Sequence, residues 1–402
     1  MSRNAVLGAS IAAALVLAGC GSGQAGDTTS KSSKESGPVT LGFAIGETGF
    51  MAPYDLPARA AAELAIEDVN AKGGAAGRKL RTISENMKSK PDLSGNAATA
   101  VLDKGADVVV TSCDFDQGSP AAIVAQQQKA LAFSTCAAST SFGPAGIGPL
   151  AFTMATAAPV EGAAMADWAI KERGWKSAYV LLDDTIDFTK QSAAGFEARV
   201  AEDGGTVVGK DTFKQGDQSI AAQITKIKQL DTAPDAIYLA SYMPTQASAI
   251  KQLRAAGLDM PILGDEDLDG DYWKDAVPDV SDVYFATYAS IYGDDPDPKI
   301  NDLVERYVDA EGKKPDSAAF LTGYAMVQAI AKAIEETGGS TTGSALQAKL
   351  EAFKDEPFVL PTTFTAKEHI AFERTLRVLQ IEGGKTSFVA EATPTGVTAP
   401  SN

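Results

Sequence analysis

The stretch that decides the fold is VTLGFAI, residues Val39–Ile45, together with the segment Pro57–Asn70 that follows it. The first run is apolar and has the length of a buried strand. The second segment carries small and apolar side chains on one helical face, and Gly73-Gly74 follows it as a helix-ending turn. This pattern predicts a strand and then a helix at the start of the globular part of the chain.

The same alternation of strand and helix continues along the chain. Further strands are predicted over Leu80–Ser84, Ala106–Thr111, Ala130–Ser134, Ser177–Leu182, Thr206–Phe213 and Ala236–Ala240. Helices are predicted between them, over Leu93–Lys104, Pro120–Lys129, Lys190–Glu202, Ile220–Leu230 and Thr245–Ala256. Such spacing favours parallel sheets with helices on both faces. Two wound units result, one from Val39 to about Ala155 and one from Pro159 to about Ala286.

Three further elements are predicted after the second unit. A long helix covers Ala318–Glu336, and Leu376–Glu382 and Thr386–Ala390 form a hairpin through Gly383-Gly384. Ligands of open α/β sheets bind at the carboxyl ends of the strands. We therefore expect a binding site in the loops that follow strands, which cover residues 46–56, 112–120, 135–142, 183–189, 241–244 and 264–271.

The N-terminus has the layout of a secretory signal. Arg3 precedes an apolar run from Ala5 to Ala18, which is too short to cross a bilayer that needs about 20 residues. Leu17-Ala18-Gly19-Cys20 resembles the bacterial lipobox, in which cleavage leaves a lipid-bearing Cys. We predict a signal peptide over 1–19, lipidation of Cys20, and a flexible linker over 20–38. The alternative is a simple signal peptide with a chance Cys.

The charge of the chain bears on its partners. The formal net charge is −17, and it becomes −18 without residues 1–19, whose single charged side chain is Arg3. Because such a surface repels phosphate backbones, we expect no binding of nucleic acid.

Cysteine and histidine usage bears on the chemistry. With Cys20 assigned to lipid, Cys113 and Cys136 remain as a pair in an oxidising compartment, which favours a disulfide over two free buried thiols. His369 is the only histidine, so histidine-based hydrolase and metal chemistry is not expected. No cofactor is predicted.

Aromatic and acidic residues follow several predicted strands. Tyr54, Phe188 and Tyr242 lie in these loops, and Glu266 comes two residues after Leu263-Gly264. A cleft with aromatic walls and a carboxylate suits a small molecule that carries a cation. Taken singly, each aromatic residue is also compatible with a place in the core.

The loops and the first helix together resemble a known family. Five segments carry the resemblance in order: Arg59–Asn70 with Gly73-Gly74, Asp183-Asp184 with Phe188, Tyr242-Met243-Pro244, Ile262–Glu266, and Gly323-Tyr324-Ala325. They are similar to the leucine/isoleucine/valine-binding proteins, type I periplasmic binding proteins that serve ABC importers. The resemblance implies two Rossmann-like parallel-sheet lobes joined by a multi-strand hinge. It places lobe 1 over 39–157 and 287–372, and lobe 2 over 158–286 and 373–395.

The resemblance also implies site residues. Glu266 matches the partner of the ligand's amine, and Tyr54, Phe188 and Tyr242 match the aromatic walls of the pocket. The family holds the ligand carboxylate with a Ser after the strand that here ends at Cys113, and with amides and a hydroxyl in the loop that matches Cys136–Thr140. The site residues predicted in these two loops are Asp114, Cys136, Ala138 and Ser139.

This chain departs from the family at Asp114, since a carboxylate there repels a ligand carboxylate. Either Asp114 points away from the pocket, or the ligand is not an ordinary α-amino acid. Ser139 and Thr140 remain as hydroxyl donors. Phe188 stands where the family often has Tyr, which makes that wall more apolar.

The acidic run Asp265–Gly270 fits the opening of a calcium loop. Its twelfth position is Ala276, where such a loop has a bidentate Glu, so we expect a solvated acidic turn beside the cleft and no metal.

These observations predict an extracytoplasmic, lipid-anchored, monomeric solute-binding protein. It would capture a small ligand by hinge closure, an amino acid of the branched-chain or a similar apolar type, and deliver it to the permease subunits of an ABC importer. Amides, urea-like solutes, aromatic acids and a sensor role remain alternatives. An enzyme is not expected, because nothing places a nucleophile beside a base or two carboxylates in a catalytic relation.

Overall fold

The computed structural model describes residues 37–399. The predicted signal peptide, the lipidation site at Cys20 and nearly all of the predicted linker lie outside these residues. The described part is a mixed α/β structure with two separate, mostly parallel sheets. The predicted fold class is confirmed.

The first sheet is entirely parallel and contains five strands. They are β1 (Val39–Ile45), β2 (Leu80–Asn86), β3 (Val108–Thr111), β4 (Leu131–Ser134) and β5 (Ala151–Thr153), in the order β2-β1-β3-β4-β5. Helices α1 (Ala52–Ala71), α2 (Pro91–Asp103) and α3 (Phe115–Gln127) connect the first four strands. Every residue of β1, β3 and β4 is buried, as expected for strands covered on both faces.

The second sheet repeats this order and adds a hairpin. Its strands are β6 (Ser177–Asp183), β7 (Thr206–Phe213), β8 (Ala236–Ala240), β9 (Ile262–Gly264), β10 (Val283–Thr287), β11 (Leu376–Glu382) and β12 (Lys385–Ala392). The order is β7-β6-β8-β9-β10-β11-β12, and β11 runs antiparallel to both of its neighbours. The predicted C-terminal hairpin is thereby confirmed.

Helices cover the second sheet and link it to the first. They are α4 (Ala158–Asp167), α5 (Asp187–Glu202), α6 (Ala221–Lys228), α7 (Thr245–Ala255), α8 (Pro298–Glu311), α9 (Phe320–Glu336) and α10 (Gly343–Leu350). One π-helical turn, Trp168–Glu172, continues α4. Within residues 37–399, no helix is both long enough and apolar enough to span a bilayer.

Two predicted helix starts were wrong, and each of them fell on a proline. The helices were predicted to begin at Pro57 and Pro120. In the structure α1 begins at Ala52 and α3 at Phe115, so both prolines lie inside a helix. In α3 the start is set instead by Asp114, whose side chain caps the helix.

The chain passes between the two sheets three times: after β5, after β10 and before β11. Between the second and third crossings, α9 packs on α1 and α10 packs on β4 of the first sheet. At the first crossing the chain pairs with a later segment, since Ala157 N–H donates to the Ala371 carbonyl over 2.9 Å. Adjacent connections of this kind place the carboxyl ends of both sheets around one cleft.

Close packing of α4 on α5 depends on two glycines. A Cβ at Gly162 would lie 2.0 Å from the Ser192 carbonyl oxygen, and one at Gly195 would lie 2.1 Å from that of Pro159. Any larger residue would therefore force these helices apart. This packing matters for the site because the N-termini of both helices lie near the cleft.

Candidate ligand-binding site

A cavity lies between the two sheets, at the carboxyl ends of their strands. Its lining residues come from both lobes, the first built on the five-stranded sheet and the second on the seven-stranded sheet. They are Phe50, Met51, Tyr54, Cys113, Asp114, Cys136 and Ala138 from the first, and Ile186, Phe188, Tyr242, Glu266 and Asp267 from the second. The space unfilled by protein atoms is about 470 Å³, including the opening to solvent.

The first-lobe wall combines Tyr54 with a disulfide. Tyr54 lies in the first turn of α1, and Cys113 and Cys136 follow the neighbouring strands β3 and β4. The two cysteines form a disulfide with their Cα atoms 4.4 Å apart, which confirms the predicted pairing. Behind this wall Asp55 accepts hydrogen bonds from Gly46 N–H at 2.7 Å and Cys113 N–H at 2.8 Å. Asp55 thus connects helix α1 to the strand end that carries the disulfide.

Asp114 also lines the cavity, which bears on the alternatives left open at this position. Its carboxylate caps α3 by accepting from Gln117 N–H at 3.0 Å. Burial and the nearby Asp116 raise the pKa of Asp114 to about 7, against the opposing effect of the helix-cap hydrogen bond. A carboxylate therefore faces the region where the family resemblance implies binding of a ligand carboxylate.

The second-lobe wall is mainly aromatic. Phe188 lies in the first turn of α5, and Tyr242 comes two residues after β8. The Tyr242 ring meets Phe50 of the first lobe, with centroids 6.1 Å apart and planes inclined at 40°. Burial raises the pKa of Tyr242 above its usual value, so its hydroxyl remains protonated. The aromatic rings provide flat apolar surface on opposite sides of the cavity.

The acidic run after β9 is buried, which corrects the expectation of a solvated turn. Asp265, Glu266, Asp267 and Asp269 are each at most 8% exposed. The turn is buried because the run folds as a tight 3₁₀ turn, Glu266–Leu268, against the second sheet and the first lobe. Among the described residues, no cluster of His, Cys, Asp and Glu has an arrangement that would hold a metal ion.

The carboxylates of this run have different partners. Asp265 Oδ2 accepts from Ser192 Oγ at 2.7 Å, and Asp269 accepts from Ala318 N–H at 2.7 Å. Glu266 and Asp267 instead line the cavity. Within residues 37–399, Asp267 Oδ2 is buried and has no hydrogen-bond partner. The outer two carboxyl groups of the run thus bond to other groups of the protein, although Asp265 Oδ1 is also unpaired among the described residues, and the middle two line the ligand space.

Burial shifts the pKa of these carboxyls upward. It raises the pKa of Glu266 to about 8, with further contributions from neighbouring Asp265 and Asp269. The pKa of Asp267 is raised well above its usual value by burial and by the charges of Asp265 and Glu266. Glu161 accepts a hydrogen bond from Glu266 N–H at 3.2 Å. Its pKa is also raised, by burial and by the neighbouring carboxyl groups of Glu266 and Asp265. A cation in the cavity would favour the ionised form of each group.

Several contacts join the lobes at the cavity. The Tyr54 and Tyr272 hydroxyls are hydrogen-bonded at 2.7 Å, and Asp187 N–H donates to Asp116 at 2.9 Å. Predicted site residue Ser139 lies beside the cavity and donates to Asp187 at the start of α5. These bonds connect the two lobes around the cavity, so the described conformation is a closed one.

The structure thus brings seven of the eight predicted ligand-binding residues into the cavity lining, and Ser139 lies next to it. Their role in binding stays a prediction. The lining residues that were not predicted are Phe50, Met51, Cys113, Ile186 and Asp267. All five lie in the loops expected at the carboxyl ends of strands, so the missing information was side-chain direction. Asp267 was also contained in the acidic run that was assigned to solvent.

Comparison with known proteins agrees with this architecture. The sequence pattern of the family described as periplasmic binding protein matches residues 38–386, and the chain belongs to this family. The "Leucine-, isoleucine-, valine-, threonine-, and alanine-binding protein" of Pseudomonas aeruginosa is 25% identical over 324 residues, which cover 81% of this chain and 84% of that protein.

Two solved structures share the fold. The branched-chain amino acid transporter substrate binding protein LivJ from Streptococcus pneumoniae, in complex with isoleucine, matches with a TM-score of 0.74 and 22% identity. That match covers 89% of this chain and 99% of LivJ. A solute binding protein of an ABC transporter from R. palustris, in complex with benzoate, matches with a TM-score of 0.72 and 20% identity, over 89% of this chain and 97% of that protein.

Proposed function

We propose that this chain is an extracytoplasmic solute-binding protein that encloses a small amine-bearing ligand between its lobes and delivers it to an ABC importer. The observation that carries the proposal is a cavity at the carboxyl ends of both sheets that is lined by aromatic and acidic side chains from both lobes. Because the ligand contacts both lobes only when they are closed, it shifts the open–closed equilibrium by its greater affinity for the closed state. The chain would act as a binder and not as an enzyme, and as a monomer.

Within this proposal Glu266 holds the ligand's amine, while Tyr54, Phe188 and Tyr242 enclose its apolar part. The names of the relatives favour an apolar amino acid, since they refer to leucine, isoleucine, valine, threonine and alanine. The benzoate-bound neighbour supports aromatic acids as an alternative class of ligand. Amides and urea-like solutes also remain alternatives. A sensor role would use the same cavity, and neighbouring permease genes would favour transport.

A thermal-shift screen of amino acids, amides, amines and aromatic acids tests the proposal. A ligand at 100 times its Kd stabilises the folded state by about 2.7 kcal/mol and raises the Tm. Phe188→Ala should reduce this shift, because it removes part of the apolar wall. Ile123→Ala, an exposed position on α3, should leave the shift unchanged. Absence of a shift with every compound, or equal shifts in all three proteins, would contradict the proposal.

We also propose the lobe boundaries 39–157 with 287–372, and 158–286 with 373–395. The membership of strands in the two sheets and the three crossings between them support this division. Limited proteolysis at the crossings, with and without ligand, would test it, since a ligand that closes the lobes should slow cleavage there.

The membrane anchor is a separate proposal that rests on Leu17-Ala18-Gly19-Cys20. Two or more acyl chains on Cys20 would anchor the protein stably, since each buried methylene adds about 0.8 kcal/mol of membrane affinity. Cys20→Ala should release the protein from membranes or leave it unprocessed. A variant that stays with the membrane fraction at the mature size would contradict the anchor.

A further inference from the structure

The cavity has carboxyl groups at both ends and, among the described residues, no basic side chain in its lining. Asp114 contributes a carboxylate from the first lobe, and Glu266 and Asp267 contribute two from the second. Among the described residues, no Lys, Arg or His lines this cavity. A ligand carboxylate would therefore find no cationic partner, and each lining carboxyl group would repel it when ionised, more strongly at short range in a cavity of low polarity than in water.

Several hydrogen-bond donors in the loops that the family resemblance assigns to a ligand carboxylate have internal partners. Ser139 Oγ donates to Asp187, and Thr140 N–H donates to Gln191 Oε1 at 2.9 Å. On the neighbouring strand end, Cys113 N–H donates to Asp55 Oδ1 at 2.8 Å. A carboxylate could bind these donors only by breaking bonds that stabilise the closed lobes or the disulfide wall.

One carboxyl oxygen in the cavity lining, Asp267 Oδ2, accepts no hydrogen bond from the described part of the protein. Asp267 is only 8% exposed, and its Oδ2 has no partner within residues 37–399. Leaving a buried acceptor unpaired is unfavourable, and for a charged group the effect is larger. An N–H group of a cationic ligand would satisfy this oxygen and would favour the ionised form of the carboxyl group.

Arg374 is a buried guanidinium near these acidic residues, but it does not supply a cation to the cavity lining. Arg374 interacts with Glu161 and Tyr288. Its N–H groups donate to the carbonyl oxygens of Met154 at 2.8 Å and Pro361 at 3.2 Å, and Arg374 is not among the residues that line the cavity. It offsets the charge of Glu161 and leaves the carboxylates of the cavity lining without a cationic partner.

From these observations we propose that the ligand is a small organic cation, an amine with an apolar body and no free carboxylate. The inference rests on the proposed solute-binding function and narrows its ligand class. The amine would bind between the carboxylates of Glu266 and Asp267, and the apolar body would lie between the aromatic walls, with its far end near Asp114.

Matched ligands test the charge requirement directly. The compounds are leucine, leucinamide, 3-methylbutylamine and 4-methylpentanoate, which share one branched body, and the corresponding four built on phenylalanine. Calorimetric titration of the purified chain should show an amine or amide of one body binding at least tenfold more tightly than its amino acid. The acid that lacks an amine should not bind measurably.

Two variants sharpen the test. Asp114→Asn keeps an acceptor that can cap α3, so the fold should be preserved. The substitution should reduce the ratio of the amine's affinity to the amino acid's affinity about tenfold, because the variant repels the carboxylate of the amino acid less strongly. Asp309→Asn removes a carboxylate from an exposed position on α8 and should leave this affinity ratio unchanged.

Two results would overturn the inference. Tightest binding of leucine or phenylalanine, unaffected by Asp114→Asn, would refute the cation class while leaving the solute-binding function intact. Absence of binding by all eight compounds would contradict the inference, and together with a negative thermal-shift screen it would contradict the proposed function as well.

Discussion

Two buried aspartates on opposite sides of the cavity show how the lobes differ. Both oxygens of Asp55, in the first lobe, accept hydrogen bonds, from Gly46 N–H, Ser112 Oγ and Cys113 N–H. Asp267, in the second lobe, lines the cavity with one oxygen unpaired among the described residues. The bonds of Asp55 hold the strand ends together, whereas the free oxygen of Asp267 is available to a ligand. Similar burial thus accompanies two different roles.

The largest expected effect is on the free energy of unfolding, and it distinguishes the role of Asp55 from that of Asp267. Asp55→Ala leaves three donors without an acceptor, and each stranded donor costs about 1–3 kcal/mol, so the loss should be roughly 3 kcal/mol or more. Asp267→Ala removes a buried carboxyl group that has one unpaired oxygen and should destabilise the ligand-free protein much less than Asp55→Ala. Urea denaturation of both variants checks this. Equal losses would mean that Asp267 is also structural.

The disulfide should have the next largest effect. Cys113 and Cys136 are separated by 23 positions, and a bond closing a loop of that length contributes about 3 kcal/mol. The double variant with alanine at both positions should lose stability by about this amount. Peptide mapping without reduction should find the two residues linked. Free thiols at both positions, in protein from an oxidising compartment, would contradict the bond.

Ligand-free stability should also fall as the pH rises. Burial raises the pKa of Asp114 and of Asp265 to about 7 and that of Glu266 to about 8, so the folded state holds protons that the unfolded state has already lost. Stability therefore falls between about pH 5 and pH 8, until the folded groups are ionised. The lowered pKa of His369 has the opposite effect, but only below about pH 6.5.

The cleanest measurement of this effect is the Tm between pH 6.5 and pH 8.5 at constant ionic strength. The wild type should lose stability across this range, on the order of 1 kcal/mol per pH unit for each titrating group. Glu266→Gln should show a smaller slope. A wild-type Tm that rises across the range would contradict the pKa shifts.

The sequence predicted the strands of both lobes better than it predicted the burial of the acidic run. Alternation of apolar strands and helices located β1, β7 and β8 with their observed bounds, and the cysteine count was enough to suggest the disulfide. Asp265–Gly270 was assigned to solvent, because four carboxylates in a run normally favour exposure. Burial of that run depends on Ser192, Thr287 and Ala318, which come from distant elements. Long-range partners of this kind cannot be read from local composition.

Side-chain direction limited the site prediction in the same way. The rule that ligands bind at strand ends selected every loop that lines the cavity. It did not show that Asp114 faces inward, or that Ser139 donates to Asp187 across the cleft. Both facts depend on how the lobes meet.

Calorimetric titration of the best ligand against the wild type and Glu266→Gln tests the central claim most directly. The substitution keeps the shape of the side chain and removes its charge, and a charge-assisted hydrogen bond contributes about 1.5–3 kcal/mol. The account predicts that an amine-bearing ligand binds at least about tenfold more weakly to the variant. Unchanged affinity for the best ligand would mean that the carboxylate of Glu266 does not hold an amine, and would contradict the account.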